Sequence, residues 1–221
     1  IIAVSGECMT ERTSSLICMT LPNVLVYHVY GLTEASPRVT WLPPNLFKMK
    51  PLSVGIPLAS EKIKITNKEG ASLTSGKIGE LWVCGPNIMK GYYNDRKATD
   101  ITVQNNWLKT GDMAYLDQDM HLFICGRQDD LIIRAGLNIY PAEIESQLQE
   151  DESIAEVLVC HYEAEIGQKL QFYVVPADSR VPPEIIYKKC RENLPPQHWP
   201  DDIIITQSLP KSVSGKIKRY F

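Results

Sequence analysis

The chain has 221 residues, 44% of them apolar and 22% charged, and carries a formal net charge of −3. This composition is ordinary for a globular protein with a buried core, and the small negative charge excludes a general attraction to nucleic acid or to anionic membranes. No apolar run reaches the roughly 18 residues of a membrane-spanning helix. No basic patch with interleaved aromatic residues occurs either, so we predict neither a membrane span nor nucleic-acid binding.

The N-terminal stretch predicts one strand–helix–strand unit of an α/β sheet. Residues 1–4 are apolar and β-branched, residues 7–19 carry apolar positions suited to a helix, and residues 23–30 form a second strand-like run. This order is typical of the last unit of a larger α/β domain. The apolar start has neither an initiator methionine nor a signal-peptide pattern, so we expect the sequence to be a fragment of a longer protein.

The next stretch predicts a small β-rich, β-barrel-like subdomain. Residues 62–66 and 80–85 alternate between apolar and polar side chains, as half-buried strands do, with turn residues between them. Residues 95–103 predict a short helix, and residues 113–126 predict a hairpin with its tip at 117–119. We assign residues 1–126 to the end of a large α/β domain that includes this subdomain.

The remaining residues, 127–221, predict a small α+β C-terminal domain. Pro141 suits the first position of a helix, because its missing N–H has no partner there in any case. The predicted elements are strand 130–134, turn 135–138, a helix from Pro141, strand 154–160, strand 170–176, helix 183–193 and strand 203–206.

The six cysteines are scattered, without a C-x-x-C pair or zinc-ligand spacing. We interpret them as reduced thiols, mostly buried, of a cytoplasmic protein.

Two stretches carry polar groups suited to a nucleotide. In "YGLTEAS" (30–36), a strand runs into Tyr30, Thr33 and Glu34, which offer a flat ring, a hydroxyl for phosphate and a hard oxygen for Mg²⁺. In the second, Asp112 follows a glycine and can accept both hydroxyls of a ribose, and Arg127 can reach the same sugar or a phosphate. Taken singly, the first stretch is better explained as an ordinary helix cap, and the second as a hairpin flanked by surface charges.

The chain ends in "LPKSVSGKIKRYF" (209–221). This is not a phosphate-binding P-loop, because Pro210 stands where the first glycine is required and Ile217 follows the lysine where a hydroxyl is required. The residues alone leave two interpretations, a solvated basic tail or a loop that carries one functional lysine, Lys216.

Together these motifs resemble the adenylate-forming superfamily of acyl-CoA synthetases, nonribosomal peptide synthetase adenylation domains and luciferases. The resemblance covers essentially the whole chain and is most like an AMP-forming acyl-CoA synthetase. The motifs are "SGE" (5–7), "YGLTE" (30–34), "GELWVCGPNIMKGYYN" (79–94), "TGD" (110–112), "GRQDDLIIRAGLNIYPAEIE" (126–145) and "PKSVSGKIKR" (210–219).

The resemblance implies two half-reactions. A carboxylate attacks the α-phosphate of Mg·ATP to give an acyl-adenylate and pyrophosphate, and a thiol of CoA or of carrier-protein phosphopantetheine then displaces AMP. Position by position, Gly6, Glu7 and Tyr30 match residues that hold adenine. Thr33 matches the α-phosphate contact, Glu34 the magnesium ligand, and Asp112 and Arg127 the ribose contacts.

The resemblance also gives the tail a role. Lys216 matches the lysine that bridges the substrate carboxylate and the ribose and phosphate oxygens, and Asp129 matches the hinge about which the small domain rotates. By the same resemblance, Gly136 matches the loop that lines the pantetheine tunnel after rotation. We expect Lys211, Lys218 and Arg219 to be solvated charges.

Two departures limit the resemblance. The Ser/Thr/Gly-rich loop that cradles the β- and γ-phosphates is absent, and we expect it, with most of the acyl pocket, upstream of Ile1. We therefore expect the 221-residue chain itself not to adenylate, and its sequence does not name the acid.

The "GLNIYPAEIE" stretch resembles acyl- and aryl-CoA synthetases and so favours CoA as the thiol. Two alternatives stay open. One is an adenylation domain that loads an amino or other acid onto an acyl carrier protein, and the other is a non-catalytic half-protein used for binding.

Overall fold

The computed structural model describes residues 1–6, 8–165, 167–178, 180–213 and 217–219. The predictions for Glu7 and Lys216 therefore lie outside the described residues. The chain packs as two compact units, Ile1–Asp129 and Asp130–Phe221. The division into domains 1–126 and 127–221 stays a prediction about the whole protein.

The first unit is built on one nine-stranded sheet. Its elements are β1 (Ile2–Val4), α1 (Glu11–Thr20), β2 (Val26–Tyr30), β3 (Thr40–Leu42), β4 (Ser53–Pro57), β5 (Lys62–Thr66), β6 (Gly79–Cys84), α2 (Arg96–Thr102), β7 (Val103–Gln104), β8 (Trp107–Leu116) and β9 (Leu122–Arg127). The strand order is β1-β2-β3-β4-β9-β8-β6-β5, with β7 beside β8. The β1–β2 pair is parallel and the other pairs are antiparallel.

The predicted α/β fold class is confirmed, with two corrections. Within the described residues the sheet stays open at β1 and β5, so the β-rich part is not a closed barrel. Helix α1 begins at Glu11 rather than at residue 7, because the Thr10 side chain accepts a hydrogen bond from the backbone N–H of Thr13 at 3.1 Å and caps the helix there.

Strands β3 and β4 were not predicted, because each is short and they flank a proline-containing turn region. Gly55 permits their pairing. Its φ is +84°, and a Cβ at this position would lie 1.8 Å from the carbonyl oxygen of Trp41. A side chain here would force the two strands apart, so the approach of β4 to β3 depends on glycine.

The second unit contains a hairpin, a three-stranded sheet and two helices. Its elements are β10 (Ile132–Arg134), β11 (Leu137–Ile139), α3 (Pro141–Gln149), β12 (Ile154–Glu163), β13 (Gln168–Pro176), α4 (Pro183–Asn193) and β14 (Asp202–Ile205). Helix α3 begins at the predicted proline and α4 has the predicted bounds. The predicted turn 135–138 is shorter, because Leu137 and Asn138 already belong to β11.

The core of the second unit lies between the two helices and the sheet. Ile144 and Leu148 of α3 and Ile186 and Cys190 of α4 are fully buried, each pair four residues apart and so on one helix face. The sheet contributes further apolar side chains, among them the fully buried Phe172 of β13. This packing holds α3 against the sheet independently of any charged contact.

Asp151 lies two residues after α3, and its carboxylate is stabilised by its neighbours in this unit. Burial by itself would raise the pKa of its carboxyl group, but hydrogen bonds from Ser153 and the contact with Lys189 of α4 lower that pKa to about 2. The carboxylate therefore stabilises the junction of the two helices as an anion.

None of the helices in the described part of the chain is long and apolar enough to cross a membrane.

Candidate functional site

The parallel pair β1–β2 places two of the predicted site segments at one edge of the sheet. Val4 pairs with His28, so both strands end at the same side, where ligands bind in open α/β folds. Gly6 follows β1 with φ +104°, a backbone conformation that favours glycine. Tyr30 is the last residue of β2. Gly6 and Tyr30 are thus at the sheet edge that the sequence predicted for a nucleotide.

Three predicted side chains meet in one cluster. The Tyr30 hydroxyl donates a hydrogen bond to Asp112 Oδ2 at 2.5 Å, and Arg127 Nη1 donates to Asp112 Oδ1 at 2.9 Å. Asp112 lies within β8 and pairs in register with Arg127 at the end of β9. The Asp112 side chain is 10% exposed and that of Arg127 is 52% exposed, so the carboxylate is buried while the guanidinium reaches the surface. We name this set the tyrosine–aspartate–arginine cluster.

The "TGD" sequence shapes the backbone under this cluster. The Thr110 hydroxyl donates to the Leu81 carbonyl at 2.8 Å and accepts from the N–H of Asp112 at 3.1 Å. Gly111 has φ +70°, and a Cβ there would lie 3.2 Å from Arg127 Nη2. The register of β8 against β6 shifts at this point, a local irregularity of the kind that redirects side chains near binding sites.

The electrostatics keep the cluster in one protonation pattern. Burial, and then the negative charge of Asp112, raise the pKa of the Tyr30 hydroxyl far above its ordinary value. Burial by itself would lower the pKa of the Arg127 guanidinium. The charge of the neighbouring Asp112 carboxylate and the hydrogen bond to it act in the opposite direction, and the pKa is raised overall. Tyr30 is therefore a neutral donor, and each Asp112 oxygen keeps a lone pair for a further donor such as a sugar hydroxyl.

Thr33 and Glu34 begin a 3₁₀ turn, Thr33–Ala35, directly after the β2 edge. Two hydrogen bonds from the segment 87–92 fix the position of this turn. The Asn87 amide donates to the Ala35 carbonyl at 2.6 Å, and the Met89 N–H donates to the Glu34 carbonyl at 2.8 Å. The backbone that carries the predicted phosphate and magnesium groups is thus fixed by a distant loop.

Tyr92 contacts the predicted site residue Glu34 and was not singled out from the sequence. Its hydroxyl donates to Glu34 Oε1 at 2.8 Å, and this hydrogen bond, with the Glu34 charge, raises the pKa of the Tyr92 hydroxyl. The sequence signal that could have identified it is its position in "GYYN", at the end of the family-like motif 79–94. The contact orients the Glu34 carboxylate and leaves its second oxygen for another partner.

One cluster elsewhere has metal-ligand side chains but does not fit a metal. Ligand atoms of Asp117, Asp119 and His121 lie within 4.8 Å of one another. The Lys50 ammonium donates to both carboxylates, at 2.5 and 2.7 Å, and lies 3.2 Å from the histidine ring. An ammonium therefore occupies the position that a cation would take.

In the second unit, the predicted tunnel residue Gly136 lies in the tight turn between β10 and β11. Arg134 pairs with Leu137, and the two residues between them, Ala135 and Gly136, have φ of 49° and 78°. Two consecutive positive φ angles define a type I′ turn, which suits the twist of a hairpin. Asp129, the predicted hinge, is the last residue of the first unit.

The prediction for the basic tail is wrong for Arg219. Its guanidinium is only 20% exposed and forms ion pairs with Glu145 and Asp130, because α3 and the chain before β10 place both carboxylates around it. Lys211 and Lys218 are both exposed, as predicted, and Lys211 also pairs with Glu156 at 2.5 Å.

The comparisons with known proteins give the family. Residues 2–93 match the family model for AMP-binding enzymes, and residues 143–216 match the model for the C-terminal domain of AMP-binding enzymes. The long-chain-fatty-acid–CoA ligase of Yersinia pestis is 35% identical over 99% of this chain and 39% of that protein. The 2-succinylbenzoate–CoA ligase of Bacillus subtilis is 36% identical over 88% of this chain and 40% of that protein.

Solved structures agree with the sequence comparison. The o-succinylbenzoate CoA synthetase of B. subtilis with an acyl-adenylate intermediate has a TM-score of 0.90 and 34% identity, over 99% of this chain and 44% of that one. The same enzyme with ATP and a magnesium ion has a TM-score of 0.88 and 35% identity, over 99% and 45%. An amide bond synthetase of Marinactinospora thermotolerans has a TM-score of 0.88 and 28% identity, over 98% and 44%.

The chain belongs to the adenylate-forming superfamily of AMP-binding enzymes and corresponds to the C-terminal portion of its members. It spans about two fifths of the length of the two curated relatives, 39% and 40%.

Proposed function

We propose that this chain is the C-terminal portion of an ATP-dependent, AMP-forming carboxylate–CoA ligase. In the first half-reaction a carboxylate oxygen attacks the α-phosphorus of ATP, and the bond to pyrophosphate breaks. In the second, the CoA thiol attacks the acyl carbon and AMP leaves. The observation that carries this proposal is the tyrosine–aspartate–arginine cluster at the carboxyl edge of β2.

The cluster is suited to the nucleoside part of ATP and AMP. Asp112 is a buried carboxylate whose oxygens keep acceptor capacity, which fits two adjacent ribose hydroxyls. Arg127 is half exposed and can donate its remaining N–H groups to the same sugar. Tyr30, Gly6 and, from its sequence motif alone, Glu7 are the proposed adenine contacts.

The 3₁₀ turn is suited to the phosphates and to Mg²⁺. The carboxylate of Glu34 is the kind of hard oxygen ligand that magnesium binds. The hydroxyl of Thr33 can donate a hydrogen bond to a phosphate oxygen. Glu34 is the proposed magnesium ligand and Thr33 the proposed α-phosphate contact. The ion would neutralise phosphate charge during displacement.

The second unit, and the boundary that precedes it, supply the remaining proposed roles. Lys216 is the proposed catalytic cation of adenylation, and removal of one such group typically costs about 10²–10³ in rate. Asp129 is the proposed hinge, supported by the unit boundary that directly follows it. Gly136, at the exposed tip of the β10–β11 turn, is the proposed contact for the pantetheine arm.

The acceptor and the compartment are part of the proposal. The CoA ligases among the relatives support CoA, and a carrier-protein phosphopantetheine is the alternative. The substrate is proposed as a small-molecule carboxylate. A cytoplasmic location is proposed as well, and it is supported by the six cysteines, none of which forms a disulfide in the described structure.

The test uses the full-length protein and both half-reactions. Lys216→Ala should abolish ATP–pyrophosphate exchange with 2-succinylbenzoate or palmitate, yet largely spare thioester formation from a supplied acyl-adenylate and CoA. Lys218→Ala, which changes an exposed lysine two residues away, should leave both reactions intact. Equal loss of both half-reactions in Lys216→Ala would contradict the proposed role.

A further inference from the structure

The Arg219 side chain forms four hydrogen bonds with described residues of the second unit. Its Nη1 and Nη2 donate to the two Glu145 oxygens at 2.6 and 2.7 Å, its Nε donates to Asp130 Oδ2 at 3.0 Å, and Nη1 also reaches the Val159 carbonyl at 3.0 Å. A guanidinium that meets one carboxylate through two parallel bonds has a fixed orientation as well as a neutralised charge. We name Arg219, Glu145 and Asp130 the arginine anchor.

The partners of Arg219 are themselves held in place. Glu145 lies in α3, whose neighbouring Ile144 and Leu148 are fully buried in the core. Its Oε1 also accepts the Val159 N–H at 2.7 Å, so one carboxylate bonds both the tail and the central strand β12. The anchor therefore attaches the end of the chain to rigid elements.

The chain just before Arg219 returns on itself. Lys211 and Ile217 form an antiparallel bridge, and the Lys218 N–H donates to the Pro210 carbonyl at 2.9 Å. These two contacts bring residues 210–211 and residues 217–218 side by side. We name 210–211 the first stem and 217–219 the second stem, and Arg219 holds the second stem.

Apart from these backbone contacts with the first stem, the second stem has few other contacts among the described residues. Lys218 is exposed, and Ile217 is only partly buried. The Cys160 thiol also lies against the stem, 3.6 Å from the Arg219 carbonyl oxygen. Burial raises the pKa of this thiol to about 11, so Cys160 stays neutral and adds no charge to the contact. The ionic hold on the stem comes from Arg219.

We propose that Arg219 is a positioning residue for adenylation, which through its bonds to Glu145 and Asp130 fixes the second stem, directly after Lys216 in the sequence. The inference rests on the proposed function of Lys216. Because catalysis depends on a near-attack geometry, a misplacement of about 1 Å lowers the rate by about 10²-fold. In the proposed function the thioester half-reaction does not use Lys216, so it should not depend on the second stem.

The experiment compares the full-length wild-type protein with Arg219→Gln, Glu145→Gln and Arg219→Lys. Exchange of pyrophosphate with ATP is measured with 2-succinylbenzoate and with palmitate, and thioester formation is measured from the corresponding acyl-adenylates and CoA. We expect Arg219→Gln to lose about 10²-fold in exchange and less than about threefold in thioester formation. Glu145→Gln should lose less, and Arg219→Lys should recover part of the exchange activity because it keeps the charge without the fork.

The matched control is Arg180→Gln in the same unit. Arg180 pairs with Asp178 through an equally short contact, but its side chain is 88% exposed. It should leave both half-reactions unchanged. A second readout that needs no substrate is the hydrogen–deuterium exchange of backbone amides in 208–219, which should accelerate at least tenfold in Arg219→Gln and not in Arg180→Gln.

The outcomes separate the two proposals. If Lys216→Ala abolishes pyrophosphate exchange but Arg219→Gln does not reduce it, the positioning role is wrong and the ligase function stands. If Arg219→Gln lowers both half-reactions equally, Arg219 is a structural residue only and the inference is overturned. If the wild-type protein shows no pyrophosphate exchange with these acids, the proposed substrates are wrong. Unchanged hydrogen–deuterium exchange of the backbone amides in 208–219 of Arg219→Gln would by itself overturn the proposed role of the arginine anchor.

Discussion

Replacement of Tyr30 by phenylalanine tests the central cluster most directly. The substitution removes only the hydroxyl that donates to Asp112 at 2.5 Å. The Asp112 side chain is 10% exposed, so water cannot easily replace the lost donor. A hydrogen bond to a charged group contributes about 1.5–3 kcal/mol, and Arg127 still holds the other oxygen, so we expect a loss of about 2 kcal/mol in the free energy of unfolding.

The assay is urea denaturation followed by tryptophan fluorescence. Trp41, Trp82 and Trp107 lie in the first unit and only Trp199 lies in the second, so the signal reports mainly on the unit that contains the cluster. Tyr27→Phe removes a hydroxyl from the same strand and serves as the control.

A double-mutant cycle of Tyr30→Phe with Asp112→Asn should give a coupling energy of at least about 1 kcal/mol. The reasoning fails if Tyr30→Phe costs no more than Tyr27→Phe, or if the cycle shows no coupling.

Two further predictions concern other contacts of the described structure. Tyr92→Phe removes the hydroxyl that orients the Glu34 carboxylate and should raise, about three- to tenfold, the Mg²⁺ concentration needed for half-maximal pyrophosphate exchange by the full-length protein. The neighbouring Tyr93→Phe, at a side chain that is 93% exposed, should not change it, and equal behaviour of the two variants would contradict the orienting role. The folded-state pKa of Asp151 is about 2, below the ordinary 3.8, so its contribution to stability is present above pH 3.8 and is lost as the pH falls toward 2. Asp151→Asn should therefore lower the free energy of unfolding by about 1–2 kcal/mol at pH 7 and by about half as much at pH 3, and a loss independent of pH in urea titrations would show that its charge is not the cause.

Elements with strong local signals were predicted closely from the sequence. Helix α4 and strand β5 have the predicted bounds, and α3 begins at Pro141. Apolar periodicity and a proline at the helix start are signals that depend only on residues a few positions apart, so the sequence shows them directly. The sequence motifs also indicated the family, and three of the predicted site side chains, Tyr30, Asp112 and Arg127, contact one another in the structure. Strands β3 and β4 were missed, because a short strand beside a glycine has no periodicity to detect and depends on its neighbours for pairing.

Only the tertiary structure decided which of these residues work together. Tyr30 and Asp112 are 82 positions apart, and Arg219 and Glu145 are 74 positions apart, so neither contact leaves a local pattern. The sequence by itself determined the identity of the polar groups and the strands and helices that carry them. The order of strands in the sheet decided that a buried carboxylate holds a tyrosine and an arginine in the first unit. In the second unit, the packing of α3 gave Arg219, which was predicted to be solvated, a carboxylate partner, because charge pairing at a distance follows from packing rather than from neighbours along the chain.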